Sequence, residues 1–241
     1  MHNKLYVLLS VLTLNGHLIG SEGKLRTGHS VDAIAAAEAS EKTSSGPLAY
    51  AIAGNAPTTS TAQFGILDSG TGAFHGIADL PNSGQGIARD RQGKIYIVDS
   101  TNNLVRVIIG NGKTQLIGST GVSTPSPLGS LSVDVFASLA TGELFLMDYS
   151  NNLYSVNPDT GAATLIGATG IPAIVSPLYS SSLSADCKYL YFTIDEVDQN
   201  LDPLIPPSLY RIDPTTGAAT YIGGTQGLLS GSGFIGGSLY G

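Results

Sequence analysis

Histidine, cysteine, tryptophan and charge are all scarce in this chain, and each shortage removes a class of function. The 241 residues hold one cysteine, Cys187, so no internal disulfide framework exists. Of four histidines, His2 and His17 lie in the N-terminal apolar region, His29 follows it, and only His75 falls in the regular part of the sequence. A histidine-ligated zinc site or a Ser-His-Asp triad therefore lacks material. Charged residues make up 12% and tryptophan is absent, while glycine numbers 31, a balance suited to short strands and tight turns. The formal charge is −7, and from Pro47 onward fourteen carboxylates face seven Lys or Arg. Nucleic acid is excluded as a partner, because phosphate binding needs a basic stripe that releases counterions. No apolar run approaches the roughly 20 residues of a membrane-spanning helix.

What is present begins with Lys4 and the apolar run Leu5–Leu14, followed by Gly and polar residues. That arrangement reads as a secretory signal over residues 1–20, which places the protein outside the cytoplasm. Cleavage could fall near Gly20 or after Ala37-Glu38-Ala39, and a buried N-terminal strand or helix is the rival reading. Residues 21–46, Ala-rich and then EKTSSG, read as a linker.

From residue 47 to 241 one phrase recurs. Leu153–Thr169 (LYSVNPDTGAATLIGAT) and Leu209–Thr225 (LYRIDPTTGAATYIGGT) share eleven of seventeen residues without a gap. Each copy is a β-hairpin: Pro presets φ, Asn or Asp bonds the turn backbone, and Gly takes the left-handed position. The copy GIARDRQGKIYIVDSTNNLVRVIIGNGKTQLIG holds four strand-like runs, at Gly86–Ala88, Lys94–Val98, Leu104–Ile109 and Thr114–Ile117, with Asn111-Gly112 as a two-residue hairpin turn. Four antiparallel strands repeated every 40 to 56 residues predict an all-β fold, a β-propeller of about four blades near 47–80, 83–118, 130–167 and 181–223. The first copy, LAYAIAG to FGILDSGTGAFHGIADL, lacks an evident first strand. The segment 232–241 (SGFIGGSLYG) reads as a first strand and the opening of a second, and Gly233–Gly236 would close the ring beside Leu48–Ala53. The alternative is that the chain is a piece of a larger propeller, or closes by pairing with another copy as a homo-oligomer, since an unpaired edge invites association. Cys187 reads as a strand residue packing as a small hydrophobe.

Gly86–Ile108 resembles an NHL repeat: an apolar strand, Asp, a Gly turn, an aromatic strand, Asp, an Asn-containing turn and another strand. The likeness is partial over Leu131–Val156 and Ser182–Ile212, and the LYxVNPxTGAATLIG phrase is similar to repeats of secreted bacterial propeller-like proteins. The resemblance implies a propeller with a binding surface, and only a few relatives are lyases or hydrolases.

Chemistry has few candidate sites. Asp99, Asp148 and Asp195 each end a second strand (IYIVD, LFLMD, YFTID) and would converge on a central calcium ion if the repeat relates them, since hard oxygen ligands suit that ion. The alternative is that each caps its own turn, as the Asp-x-x-Asn spacing requires. Glu196, Asp198 and Asp202 crowd the insertion EVDQNLDPLIPP and form either a polar site or a solvated acidic loop. Tyr149 and Tyr179 fall in or beside the long loops, where they could stack on a sugar or peptide or pack on a neighbouring loop. The long loops, 54–63, 119–130, 168–180, 196–207 and 224–232, open on one face of the propeller. These features predict a non-enzymatic scaffold that binds protein, peptide or glycan without a cofactor. A calcium-dependent hydrolase or lyase built on the three aspartates is the alternative.

Overall fold

In a computed structural model of the chain, residues 6–13, 48–54, 62–68, 70–123, 133–176, 179–200, 202–225, 233–235 and 238–240 are described. They form four four-stranded antiparallel sheets, arranged as a four-bladed β-propeller, and one two-stranded sheet. Blade one comprises β1 (Tyr6–Thr13), β2 (Leu48–Gly54), β3 (Ala62–Asp68) and β4 (Phe74–Leu80). Blade two follows with β5 (Gly84–Arg89), β6 (Ile95–Asp99), β7 (Asn103–Ile108) and β8 (Lys113–Ser119). Blade three contains β9 (Val133–Ser138), β10 (Leu144–Asp148), β11 (Asn152–Val156) and β12 (Ala163–Ala168). Blade four contains β13 (Tyr179–Ala185), β14 (Leu190–Val197), β15 (Pro203–Ile212) and β16 (Ala219–Gly224), and β17 (Gly233–Ile235) pairs with β18 (Ser238–Tyr240). The strands expected from the sequence in blade two are all there. The Asn111-Gly112 turn is wider than expected: a 3-10 turn, Ile109–Asn111, precedes Gly112 at φ 65°.

Each blade is buried at its second strand, and the fourth strands of blades two, three and four are half-buried to exposed, whereas β4 buries Ile77, Ala78 and Leu80. The strands IYIVD (β6) and LFLMD (β10) are buried at every position, because neighbouring blades cover both faces of the sheet. Three apolar clusters fill the gaps between blades. Ile87, Ile95 and Ile97 of blade two meet Tyr50, Ile52 and Phe64 of blade one. Ala88, Tyr96 and Val98 meet Leu144 and Leu146 of blade three. Phe145 and Met147 then meet Leu190, Phe192 and Ile194 of blade four. The first strands run round one axis in the order β1, β5, β9, β13, β17, and β17 touches both β13 and β1.

At the rim, the hairpin turn of one blade sits on a glycine of the preceding blade. Gly161 (φ 81°) ends the blade-three turn against Gly118 of β8, and Gly217 (φ 80°) ends the blade-four turn against Gly167 of β12. Hydrogen bonds run alongside, from Ala163 N to Thr120 O (2.9 Å) and from Ala219 N to Thr169 O (3.1 Å). The repeat's Thr-Gly and Ile-Gly positions are thus two halves of one joint between blades.

Three expectations need correction. The edge of β2 beside Leu48–Ala53 belongs to β1, with Tyr6 opposite Gly54 and Thr13 opposite Ala49, and not to Gly233–Gly236. An eight-residue apolar strand can pair along most of β2, whereas β17 has three residues and pairs with β18, Phe234 opposite Leu239. The run read as an export signal is therefore also the inner strand of blade one. Cys187 is exposed, in the turn between β13 and β14 and not in a strand. Most of the expected loop 196–207 is strand, since β14 runs to Val197 and β15 starts at Pro203, leaving a reversal at 198–202.

A Cβ at Gly118 would lie 2.3 Å from Thr160 O, and one at Gly167 would lie 2.6 Å from Thr216 O. Because backbone cannot yield as a flexible side chain would, Gly118→Val and Gly167→Val should each cost about 1–3 kcal/mol. For a chain of this size that lowers Tm by roughly 2–4 °C per kcal/mol in thermal denaturation. Unchanged Tm in both variants would contradict the joint.

Candidate functional site

The aspartates that end β6 and β10 both hold turns. Asp99 Oδ1 accepts bonds from Thr101 N (2.9 Å), Thr101 Oγ1 (2.7 Å) and Asn103 N (3.0 Å), and its Oδ2 accepts from Asn82 Nδ2 (3.0 Å). Asp148 repeats the pattern: Oδ1 accepts from Ser150 N and Asn152 N at 2.9 Å each, and Oδ2 accepts from Asn152 Nδ2 (3.0 Å) and Tyr154 Oη (2.9 Å). Asn102 (φ 61°) and Asn151 (φ 57°) take the left-handed residue of these turns, a conformation Asn tolerates better than most side chains. Each carboxylate thus satisfies amides that no strand partner reaches.

Asp195 is not their structural counterpart. In blade two the hydroxyl of Tyr96 donates to the turn residue Asp90 (3.3 Å), and in blade four Tyr191 donates to Asp186 (3.0 Å). The two tyrosines are therefore equivalent, although the second turn is one residue shorter. Counting from them, Ile194 and not Asp195 matches Asp99, and the one-residue offset sends Asp195 to the opposite face of the sheet. Leu190, Phe192 and Ile194 accordingly take the side facing blade three. Asp195 falls opposite Pro206-Pro207, where the pairing jumps from Ile194–Ser208 to Glu196–Ile205. Proline is tolerated at such a bulge because no ladder amide is needed. The Asp195 side chain is 4% exposed, and burial pushes its carboxyl above the usual aspartate range. Among the described residues no three His, Cys, Asp or Glu side chains gather as a metal site would require.

The long-loop face is described best over blades three and four, where segment 169–176 folds down onto the blade. Thr169 Oγ1 donates to Asn151 O (2.7 Å), Asn151 Nδ2 donates to Pro172 O, and Ile174 N donates to Tyr149 O (2.9 Å). Ile171 and Ile174 are buried in the core between the blades. Glu196, itself buried, accepts bonds at Oε1 from Val175 N (2.7 Å) and Ser176 N, fastening the segment to β14. Tyr149 is buried beneath it, 1% exposed, and Tyr179 Oη donates to Tyr149 Oη at 2.9 Å with the rings edge to face. The two tyrosines meet each other as loop packing. Asp198 closes the reversal after β14, accepting at Oδ1 from Asn200 N (2.8 Å) and Asp202 N (2.9 Å). The Asp202 amide foremost, with that of Asn200, holds its carboxyl below the usual range. Asp202 itself is exposed.

Two residues overlooked in the sequence stand out on this face. Val175 is 70% exposed and Leu204 is 50% exposed, although both neighbour buried residues, Ile174 and Ile205. They flank Glu196, since Val175 donates to it and Ile205 pairs with it. The signal was available in IPAIVSP and DPLIPP, where apolar residues stand between prolines in connecting segments. What the face presents is a pinned apolar and hydrogen-bonding surface, suited to contact and poor in groups that move protons.

No family profile and no curated protein sequence matches the chain. Solved structures do match. A structural genomics protein of unknown function from Bacteroides thetaiotaomicron shares 15% identity at a TM-score of 0.51, covering 78% of this chain and 51% of its own. The WD40 domain of Neurospora crassa Pan2 matches at 9% identity and TM-score 0.45, over 78% of this chain and 52% of that one. The PQQ-bound form of an aldose sugar dehydrogenase from Streptomyces coelicolor matches at 17% and 0.42, over 58% and 47%. At such identity the Bacteroides likeness speaks for the fold alone, and this chain spans about half the length of that protein.

Asp195 supplies a test of the register. Between the ordinary aspartate value and its raised one, the unfolded chain has released a proton that the folded chain keeps, so stability falls as pH rises through that window. Asp195→Asn should therefore raise Tm at pH 7, and the gain should vanish below the usual aspartate range, where both states are protonated. A Tm difference that stays constant with pH would contradict the burial of this carboxyl.

Proposed function

We propose that the protein is a non-enzymatic, exported binding scaffold whose long-loop face over blades three and four takes a protein, peptide or glycan. The observation that carries this is two exposed apolar side chains on either side of Glu196: Val175, on a segment that Glu196, Asn151 and Tyr149 fasten, and Leu204, in β15 next to Ile205, which pairs with Glu196. An apolar patch that cannot rearrange binds with little ordering cost. The aspartates point the same way, because Asp99, Asp148 and Asp198 hold turns. No bound cofactor enters this reading.

The blade grammar of Gly86–Ile108 supports classing the repeats as NHL-like, and export rests on Lys4 with the apolar run Leu5–Leu14. Because that run is also β1, sequencing the N-terminus of protein recovered from the medium or envelope distinguishes a retained strand from a removed leader. No helix among the described residues is long and apolar enough to cross a membrane.

Screening the protein on glycan and peptide arrays, with Val175→Glu and Leu204→Glu beside the wild type, tests the scaffold. The expected outcome is a ligand whose binding drops at least tenfold in each variant while Tm stays within about 1 °C, since exposed substitutions rarely disturb stability. Binding indifferent to both positions would refute the assignment of this face, and turnover of a bound ligand would refute the non-enzymatic reading.

A further inference from the structure

Charge is divided unequally between the two faces of the propeller. In every blade the first and third strands run from the long-loop face to the tight-turn face and the second and fourth run back, so strand position fixes the face to which each charged residue belongs. From Pro47 onward all the charged residues are described ones, and every Lys and Arg falls in the tight-turn half. Arg89, Arg91 and Lys94 surround the turn between β5 and β6, Lys113 opens β8, and Lys188 lies in the turn between β13 and β14. Arg106 stands opposite Tyr96, the second residue of β6, and Arg211 opposite Tyr191, the second residue of β14. Six of the fourteen carboxylates share that half, in or beside its turns, which leaves it close to neutral. The other eight lie in the long-loop half, where no Lys or Arg accompanies them. Asp79 stands one residue from the end of β4, Asp99 and Asp148 end β6 and β10, and Asp134 is the second residue of β9, which starts at that face. Asp195, Glu196, Asp198 and Asp202 belong to the same end of blade four. Burial holds Asp195 toward its neutral form, and the rest still face no cation.

These carboxylates come from all four blades, and among the described residues no three gather as a metal site would require. A field spread over a whole face acts on a partner of comparable extent: it draws cationic surfaces, speeds their encounter and repels polyanions. The exposed apolar side chains stand inside that field. Val175 and Leu204 lie on either side of Glu196, and exposed Asp202 is two residues from Leu204, at the reversal that Asp198 holds. A neutral glycan gains nothing from such a field, and a sulfated or phosphorylated one is repelled by it.

We propose that the partner of the long-loop face is a cationic polypeptide segment, whose Lys or Arg side chains meet the reversal at 198–202 while its aliphatic or aromatic ones cover Val175 and Leu204. The inference rests on the scaffold reading of this face and selects polypeptide over glycan. Apolar contact supplies the lasting affinity, and charge supplies fast encounter and the exclusion of acidic competitors.

A labelled synthetic peptide in which pairs of lysines alternate with single leucines is the probe, titrated against the protein by fluorescence anisotropy. Two matched peptides accompany it, one with Glu for Lys and one with Ser for Leu. The expected result is saturable binding of the lysine-leucine peptide alone, weakening about tenfold between ~0.05 and ~0.5 M salt as screening tightens. Asp202→Lys should weaken it about fivefold, whereas Lys113→Glu, on the opposite face, should leave it within about twofold. Both changes fall on exposed side chains, so Tm should stay within about 1 °C of wild type. Val175→Ser and Leu204→Ser, which remove apolar contact without adding charge, should each weaken binding by about three- to tenfold. Absence of saturable binding, or indifference to Asp202→Lys, would overturn the proposal. So would equal binding of the lysine-serine peptide, or a Lys113→Glu effect as large as that of Asp202→Lys, which would make net charge and not this face the cause. A neutral glycan bound independently of salt and lost in Val175→Glu would overturn this inference while the scaffold reading stands. Peptide binding that ignores both serine variants would overturn the two together.

Discussion

Every blade reverses direction three times, and each reversal leaves backbone amides that no strand can reach. At most of the described turns a side-chain oxygen at the start takes them, while the β9–β10 turn, which starts at Leu139, closes through backbone bonds alone. Asp68 holds Gly70 and Thr71, Asp90 holds Gln92 and Lys94, Asn157 holds Asp159 and Thr160, Asp186 holds Lys188 and Tyr189, and Asp213 holds Thr215. Asp99, Asp148 and Asp198 do the same on the long-loop face. Where the acceptor is a carboxylate the bond is charge-assisted and stronger than a neutral one, which fixes these turns more firmly than turn preference alone. Such staples also account for half of the acidity of the repeat region, since seven of its fourteen carboxylates hold turns. At Asp186 burial works to raise the carboxyl, yet the amides of Tyr189 and Lys188 and the Tyr191 hydroxyl hold it below the usual range.

With the turns fixed, blades can stack. Each sheet buries both faces of its second strand, and the rim joint sets the spacing: a left-handed glycine of one turn fits only where the outer strand before it also lacks a Cβ. That joint is made at two boundaries, between blades two and three and between blades three and four, while β4 carries Ala78 at the place of Gly118. Two interruptions of the blade repeat are visible. One is the segment 169–176 with the lengthened β14–β15 hairpin, where exposed Val175 and Leu204 sit on a fastened surface. The other is the short β17–β18 hairpin, which pairs only within itself among the described strands while β17 touches β13 and β1.

The propeller and most of its strands were legible because turn chemistry is local: Pro158, Thr160 and Gly161 declare a hairpin whatever surrounds them. Elsewhere local patterns are ambiguous. Leu5–Leu14 looks alike as a leader or as an inner strand, since both need a short apolar run. Asp195 aligns by eye with Asp99 and Asp148, but the shorter Asp186–Tyr189 turn and the Pro206-Pro207 bulge move it by one position, which in a strand means the other face. Tyr149 reads as a loop aromatic because its neighbours are polar, and its burial depends on Ile171 and Ile174, twenty or more residues away. Likewise IPAIVSP and DPLIPP mark where apolar residues stand in connecting segments, but the exposure of Val175 and Leu204 depends on how those segments fold.

The central claim is that the recurring aspartates are structural staples, leaving the molecule to act through its surface. Calorimetric titration of the purified protein with calcium, paired with thermal unfolding in calcium and in chelator, tests this most directly. The account predicts no saturable heat and the same Tm in both solutions. Stoichiometric binding with a calcium-dependent rise in Tm, abolished by Asp148→Asn, would contradict it.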